Sequence, residues 1–262
     1  MKQRKAQITL FVIIGIVLIL STTITLYVRQ SSVEKELIPE IAKLDGTGEI
    51  AIRNYVEACL KKVSDEVVWD VGMHGGYVND EDFDGIEFQG SNVSNWTTDQ
   101  PPPSLPDINN NISNEIIPRL EKCLDLDIFA DMGYLITKEG IASTNVSINQ
   151  KDIDVKINYP LSIKKGESET TISEFSVNLP IKLKELYNYS SKLAIESTNN
   201  ACGFEYDGDS LIALSISPLL EDDTTKIVRF TDYKTYIHYY VQSYIFQFAT
   251  DEEITCTPPQ II

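Results

Sequence analysis

The sequence predicts an α+β protein. An apolar N-terminal helix, either spanning a membrane or packed in a filament core, precedes an extracellular domain of helices and an antiparallel β-sheet. Three observations lead to this fold class. Residues 8–28 contain no charged side chain. Apolar side chains recur every three or four residues over 50–70, which is typical of a helix. After Gly133 the apolar period changes to two, which is typical of β-strands.

The apolar segment comprises 21 residues, and a helix of that length spans roughly the 30 Å hydrocarbon core of a bilayer. Helices of soluble proteins are seldom apolar on all sides over such a length. It is also longer than the apolar region of an ordinary cleaved secretory signal. Three cations precede it and one follows, which predicts a cytoplasmic N-terminus and an extracellular location for residues 30–262.

The charge is distributed unevenly around this segment. The chain has 22 basic and 39 acidic residues and a net charge of −17. Residues 1–29 hold four basic residues and no acidic one, so residues 30–262 carry 18 basic residues and all 39 acidic ones, a net charge of −21. A body of this charge repels phosphate, which excludes nucleic acid as a partner and argues against the body lying on an anionic lipid surface.

The junction Lys5-Ala6-Gln7-Ile8 resembles the class III leader of archaeal type IV pilins and archaellins. The resemblance implies a leader peptide at 1–6, cleavage between Ala6 and Gln7, and a retained helix at 7–29 that packs with copies of itself. The chain departs from the family at Phe11, where many pilins have Glu at the fifth mature position. An uncleaved signal anchor is the alternative interpretation.

The layout also looks similar to single-pass surface proteins of small-genome symbiotic archaea. Those begin with a K-[GA]-Q-[IV]-T-L-F leader, followed by a cysteine-bearing helix and a Gly-Gly-Tyr turn. The corresponding pieces here are residues 5–11, the helix containing Cys59, and Gly75-Gly76-Tyr77. The resemblance implies a location at the cell surface, and brings no activity with it.

Residues 30–48 are predicted to form a stalk, in which Pro39 and the turn at 45–48 prevent one continuous helix. The extracellular domain then occupies 49–262. Its first helix, over 50–70, is expected to end near Gly72 and Gly75-Gly76, since glycine readily adopts positive φ.

Residues 78–113 form a polar insertion, predicted to be an exposed or partly disordered loop with an extended Pro101–Pro103 segment. A second helix is predicted over 115–131, with Pro118 in its first turn.

The later part of the domain is predicted to be mainly antiparallel sheet. Residues 153–159 and 175–179 alternate apolar and polar side chains around a turn at 164–167, which indicates a hairpin. A helix follows over 180–197, and further strands are predicted at 212–216, 227–230 and 236–248. The last of these is rich in aromatic residues, which we interpret as sheet core rather than a sugar-binding platform.

Four cysteines, all in the extracellular part, predict two disulfides. Because each of the first two predicted helices carries one cysteine, Cys59–Cys123 is the favoured pair, which leaves Cys202–Cys256. Four buried thiols are the alternative. A metal cluster is disfavoured because no C-x-x-C spacing occurs.

Asp80, Asp82, Asp84 and Gly85 match the first half of a D-x-D-x-D-G calcium loop. The twelfth position is Ser91 instead of the bidentate Glu that would complete the coordination. A solvated acidic loop is therefore the alternative interpretation, and calcium is the one cofactor that the sequence suggests.

Five N-x-S/T sequons predict N-glycosylation of an exposed surface. They lie at Asn92, Asn95, Asn111, Asn145 and Asn188.

The two histidines, His74 and His238, do not form a recognisable nucleophile–base arrangement, and no phosphate-binding glycine loop occurs. We therefore do not expect an enzyme. The sequence predicts an archaeal cell-surface structural or adhesive protein, in particular a pilin-like filament subunit. Its partners would be the lipid bilayer and copies of itself, bound through the N-terminal helix. The alternative is a monomeric membrane-anchored ectodomain that binds a host-cell surface component or another extracellular partner.

Overall fold

A computed structural model describes residues 48–97, 99–195, 212–219, 224–237 and 242–251. The chain divides into two compact units, Met1–Tyr55 and Val56–Ile262. In the first unit the described residues are Gly48 and the beginning of a helix. In the second unit helices accompany antiparallel sheets, so the α+β class is confirmed.

The described residues form three α-helices, α1 (Glu49–Met73), α2 (Leu105–Cys123) and α3 (Leu183–Ile195). Two 3₁₀ segments lie at Asp80–Asp82 and Leu126–Met132. Within the described part of the chain, no helix is long and apolar enough to cross a membrane. The predicted leader (1–6), the apolar helix (7–29) and nearly all of the stalk (30–48) lie outside the described residues.

Helix α1 confirms the periodicity seen in the sequence. Val56, Cys59, Val63 and Val67 are all buried and recur at three- and four-residue steps. Lys61 Nζ lies 2.6 Å from Oδ1 of the buried Asp65, an i,i+4 ion pair. The helix runs three residues beyond the predicted end.

The larger sheet contains β3 (Leu135–Lys138), β4 (Ser143–Ile148), β5 (Ile153–Lys165) and β6 (Ser168–Leu179). Strand β5 pairs with β6 along one side. On its other side β4 pairs with the first half of β5 and β3 with the second half, and all these pairings are antiparallel. The predicted hairpin is thus confirmed, and its register runs from Ile153 opposite Leu179 to Lys165 opposite Ser168. The short strands β3 and β4 were not predicted, because neither shows a clear alternation of apolar and polar residues. Helix α2 packs against β4.

The smaller sheet has the order β7 (Ile212–Pro218), β8 (Lys226–Ile237), β9 (Gln242–Thr250). The prediction of one strand over 236–248 is wrong, because Ile237 ends β8 and pairs with Gln242 at the start of β9. Aromatic and β-branched residues continue through this connection, so no glycine or proline marks a break in the sequence. Tyr244, Phe246 and Phe248 are fully buried, as expected of sheet core.

Residues 78–113 do not form the predicted loop. They contain a hairpin, β1 (Gly85–Phe88) and β2 (Ser91–Ser94), and the first half of α2. Ser104 and Asp107 form a capping box that starts α2 at Leu105, ten residues before the predicted start. The helix ends at Cys123, and Pro118 lies inside it rather than in its first turn. Its buried stripe is regular, comprising Ile108, Ile112, Ile116 and Leu120.

The segment Val93–Trp96, which comprises the end of β2 and the two residues after it, wraps around the edge of β9. Val93 packs with Ile227 and Ala249 on one face of the smaller sheet. Two residues later Asn95 bridges Ala249, and the Trp96 amide donates to the Ala249 carbonyl at 2.7 Å. The Trp96 ring then stacks on Phe248, with 4.3 Å between centroids, on the opposite face.

The C-terminal end of α1 lies against the same edge. The Tyr244 hydroxyl donates to the Val68 carbonyl at 3.1 Å, and Gln247 Nε2 donates to the Met73 carbonyl at 3.0 Å. Burial raises the pKa of Tyr244, which keeps this hydroxyl a donor. A Cβ added at Gly72 would clash with the carbonyl oxygen of Ile245. Glycine at position 72 therefore allows helix and strand backbones to touch.

We expect Gly72→Ala to lower the free energy of unfolding by about 2–3 kcal/mol, because the added methyl overpacks a backbone contact. In an exposed helix the same change would stabilise by about 1 kcal/mol, so the sign of the effect tests the contact. Urea denaturation followed by circular dichroism measures it. Gly90→Ala is the comparison, because Gly90 has no atom within 4 Å of the added Cβ and its φ of +81° makes the loss there a measure of backbone strain without a clash. A Gly72→Ala chain as stable as the native one would contradict the packing.

Candidate functional site

An open cleft of about 440 Å³ lies at the C-terminal end of α1 and is the best candidate for a functional site. Helix α1 contributes Asp70, and His74 follows directly after the helix. The segment 78–82 supplies the remaining lining, with carboxylates at Asp80, Glu81 and Asp82. Among the described residues lining this cleft there is no Lys or Arg, so the cleft is acidic.

His74 connects the cleft to α1. Its Nδ1 lies 3.2 Å from the Val78 carbonyl oxygen, which accepts the Nδ1 hydrogen. Its Nε2 lies 3.3 Å from Asp80 Oδ1, a contact that becomes an ion pair when the ring is protonated. The side chain is 14% exposed. The ring therefore holds the 3₁₀ turn beside the end of the helix.

Asp70 and Arg119 connect the cleft to α2. Arg119 Nη1 lies 2.6 Å from Asp70 Oδ2, and Arg119 Nε lies 3.6 Å from Glu115 Oε2. Asn79 donates to Glu115 Oε1 at 3.2 Å, which ties the turn to the same helix. Burial raises the pKa of Asp70, although the hydrogen bond and charge of Arg119 act in the opposite direction.

This arrangement can attract a cation or a hydrogen-bonding ligand through its carboxylates, and it holds no nucleophile activated by a neighbouring base. Among the described residues, no group of three or more His, Cys, Asp or Glu side chains is arranged to hold a metal ion. Asp80 contacts His74, Asp82 contacts Asn79, and Asp84 directly precedes β1. Calcium binding by Asp80, Asp82 and Asp84 therefore stays a prediction.

Cys59 of α1 and Cys123 of α2 form a disulfide with 5.9 Å between their Cα atoms. This confirms the favoured pairing. Cys202 and Cys256 lie outside the described residues, and so does His238.

The five sequons differ in exposure. Asn145 on β4 and Asn188 on α3 are exposed, whereas Asn92, Asn95 and Asn111 are half-buried. The side-chain oxygen of Asn95 is buried beside Trp96, whose ring belongs to the core. Asn145 and Asn188 thus have the most room for a glycan, and glycosylation stays a prediction. The leader residues Lys5, Ala6 and Gln7 lie outside the described part of the chain.

Sequence reasoning missed Asp70, Asn79, Glu115 and Arg119 as parts of one cluster. A local signal existed, because Asp70–His74 and Glu115–Arg119 are spaced i,i+4 and so share a helical side. The contact between Asp70 and Arg119 joins residues 49 positions apart, and no local pattern indicates it.

Comparison of the chain with protein-family models, curated proteins and solved structures finds no match.

We expect Asp70→Asn to change how stability depends on pH. The folded-state pKa of Asp70 is raised above the ordinary 3.8, so its stabilising contribution is complete below that pH and is lost as pH rises through the folded value. The native chain should therefore lose stability relative to Asp70→Asn as pH rises above 3.8. Urea denaturation at a series of pH values measures this difference.

Asp131→Asn, which removes an exposed carboxylate elsewhere, controls for the loss of one negative charge. A stability difference between native and Asp70→Asn that grows in favour of the native chain with rising pH would contradict the assignment.

We expect the double variant C59A/C123A to lose about 4 kcal/mol of unfolding free energy, because the disulfide closes a long loop in the unfolded chain. The two cysteines are 64 residues apart in sequence. Denaturation of the native chain and of C59A/C123A, each with and without reductant, measures the loss, and C202A/C256A measured alongside reports the second predicted pair separately. Peptide mapping without reduction that finds no Cys59–Cys123 link would contradict the pairing.

Proposed function

We propose that this chain is an archaeal cell-surface structural or adhesive protein, in particular a type IV pilin-like filament subunit. One observation carries the proposal. The Lys5-Ala6-Gln7 junction stands directly before an uncharged apolar segment at 8–28. Removal of the basic leader would free the apolar helix to leave the bilayer and pack with identical helices.

The described body is consistent with an extracellular role. A disulfide joins α1 to α2, and such bonds persist in oxidising surroundings. Two sequons, at Asn145 and Asn188, lie on the exposed surface. The β9 edge is covered by α1 and the Val93–Trp96 segment, which protects it from unwanted strand pairing.

The charge of the body limits how copies could assemble. Residues 30–262 carry a net charge of −21, so neighbouring bodies repel at distances within about 8–10 Å, the screening length in physiological salt. Cohesion would therefore come chiefly from the apolar helices in the filament core. Bodies would touch only where cations offset the repulsion.

The second candidate is a monomeric membrane-anchored ectodomain that binds a host-cell or other extracellular partner. Two features favour it. Phe11 stands where many pilins carry Glu at the fifth mature position, and the sequence has Pro39 where a pilin helix would continue. In this case the acidic cleft beside His74 is the natural contact surface.

The proposal predicts that the mature chain begins at Gln7 and is found in filaments. N-terminal sequencing of the native protein and negative-stain microscopy of sheared surface fractions measure both. We expect Lys5→Glu to leave the leader uncleaved and to abolish filaments, because it removes the basic residue two positions before the cut. Lys2→Glu changes the same charge away from the junction and is the matched control. A native chain that begins at Met1 and is absent from filaments would contradict the filament proposal and favour the membrane-anchored ectodomain.

A further inference from the structure

Arg229 occupies an unusual position for a cation of this acidic chain. It lies on β8, where Nε donates to Gln247 Oε1 at 3.0 Å and Nη2 donates to Gln89 Oε1 at 3.3 Å. The guanidinium carbon stands 5.6 Å from the centre of the Phe88 ring. Its contacts are thus two neutral amides and one aromatic face.

Among the described residues, no carboxylate forms an ion pair with Arg229. Arg119, by contrast, is paired with both Asp70 and Glu115. Partial burial lowers the pKa of Arg229. A guanidinium has five N–H donors, and the two amide contacts use two of them. The remaining donors suit a carboxylate, which accepts two parallel hydrogen bonds.

The surroundings of Arg229 are typical of a protein contact surface. Ile86, Phe88 and Leu219 are partly buried apolar residues packed against the Val93 cluster. Gln89 holds φ +52° at the tip of the β1–β2 hairpin, and this conformation places its amide at Arg229. Arginine and aromatic residues are enriched at protein interfaces, and here Arg229 lies beside the ring of Phe88.

Carboxylates lie at the opposite end of the same hairpin. Glu81 and Asp84 are exposed and precede β1, whereas Gln89 and Arg229 lie at the tip. The four residues of β1 separate the two ends by about 13 Å at the usual strand rise. Arg229 of β8, which has no carboxylate partner among the described residues, therefore lies at the tip of the hairpin. Glu81 and Asp84 lie at its base, and Glu87 lies on β1 between the two ends.

We propose that Arg229 of one copy binds Glu81 and Asp84 of a second copy, so that bodies stack head to tail along the hairpin. This proposal rests on the filament function proposed above. The contact joins two different patches, and a contact of that kind extends into an open array instead of closing as a two-fold dimer. It also places a cation where two acidic bodies meet.

Charge reversal and charge exchange in the full-length chain test this contact. Filament mass per cell is measured by quantitative microscopy of sheared fractions for R229E, for E81K/D84K and for the two combined. We expect each reversed chain to yield about tenfold less filament, and the combined chain to recover most of the native yield, because close charge pairs couple by that much or more. Lys184→Glu, a reversal on α3, is the matched control.

The results separate loss of the contact from loss of folding and from failure of the filament function. Because R229E also loses packing on Phe88, its thermal unfolding is measured alongside, and E81K/D84K, which alters exposed residues, reports on the contact independently. If E81K/D84K yields as much filament as the native chain, or if the combined variant yields no more than the single reversals, the head-to-tail contact is wrong. The proposed filament function is not affected by either result. A native chain that makes no filaments overturns both.

Discussion

The described fold depends on how one edge of strand β9 is covered. The carbonyl groups of alternate β9 residues point away from β8, and an edge left open would invite pairing with another chain. Helix α1 meets the edge at Gly72, and Trp96 donates its amide to Ala249. The glycine turn at Gly75, with φ +64°, turns the chain from the helix back along the strand. Each of these residues is constrained because backbone atoms, rather than flexible side chains, make the contact.

Covering this edge also brings the charged cluster together. Once α1 ends against β9, Asp70 and His74 lie in its last turn and just beyond it, beside the 78–82 segment. The Cys59–Cys123 disulfide holds α2 alongside α1, so Arg119 reaches Asp70. The acidic cleft therefore depends on two contacts of different kinds. One is the disulfide between α1 and α2, and the other is the backbone contact between α1 and β9. Arg229 lies on the neighbouring strand β8, and Gln247 of β9 accepts a hydrogen bond from its guanidinium and donates one to the end of α1.

The parts of the fold with a strong local period could be predicted. Helix α1 and the β5–β6 hairpin each repeat one pattern over more than ten residues, and burial on one face produces that pattern directly. The candidate site was predicted only in part. Asp80 and Asp82 were identified from their spacing, but Asp70, Arg119 and Glu115 join them through contacts between separate elements. Such contacts leave no trace in the spacing of neighbouring residues.

Residues 78–113 separate the features that the sequence determined from those that the tertiary structure decided. By itself the sequence determined the α+β class, the helix around Cys59, the long hairpin, the uncharged segment at 8–28 and the acidic charge of residues 30–262, because each is a local or summed property. The tertiary structure decided that Val93 and Trp96, surrounded by Asn, Ser and Asp, belong to the core. Their burial depends on Ala249 and Phe248, more than 150 residues away, which provide an edge and two faces for them to cover. A short apolar pair in a polar segment has no period, so only its distant partners decide whether it is loop or core.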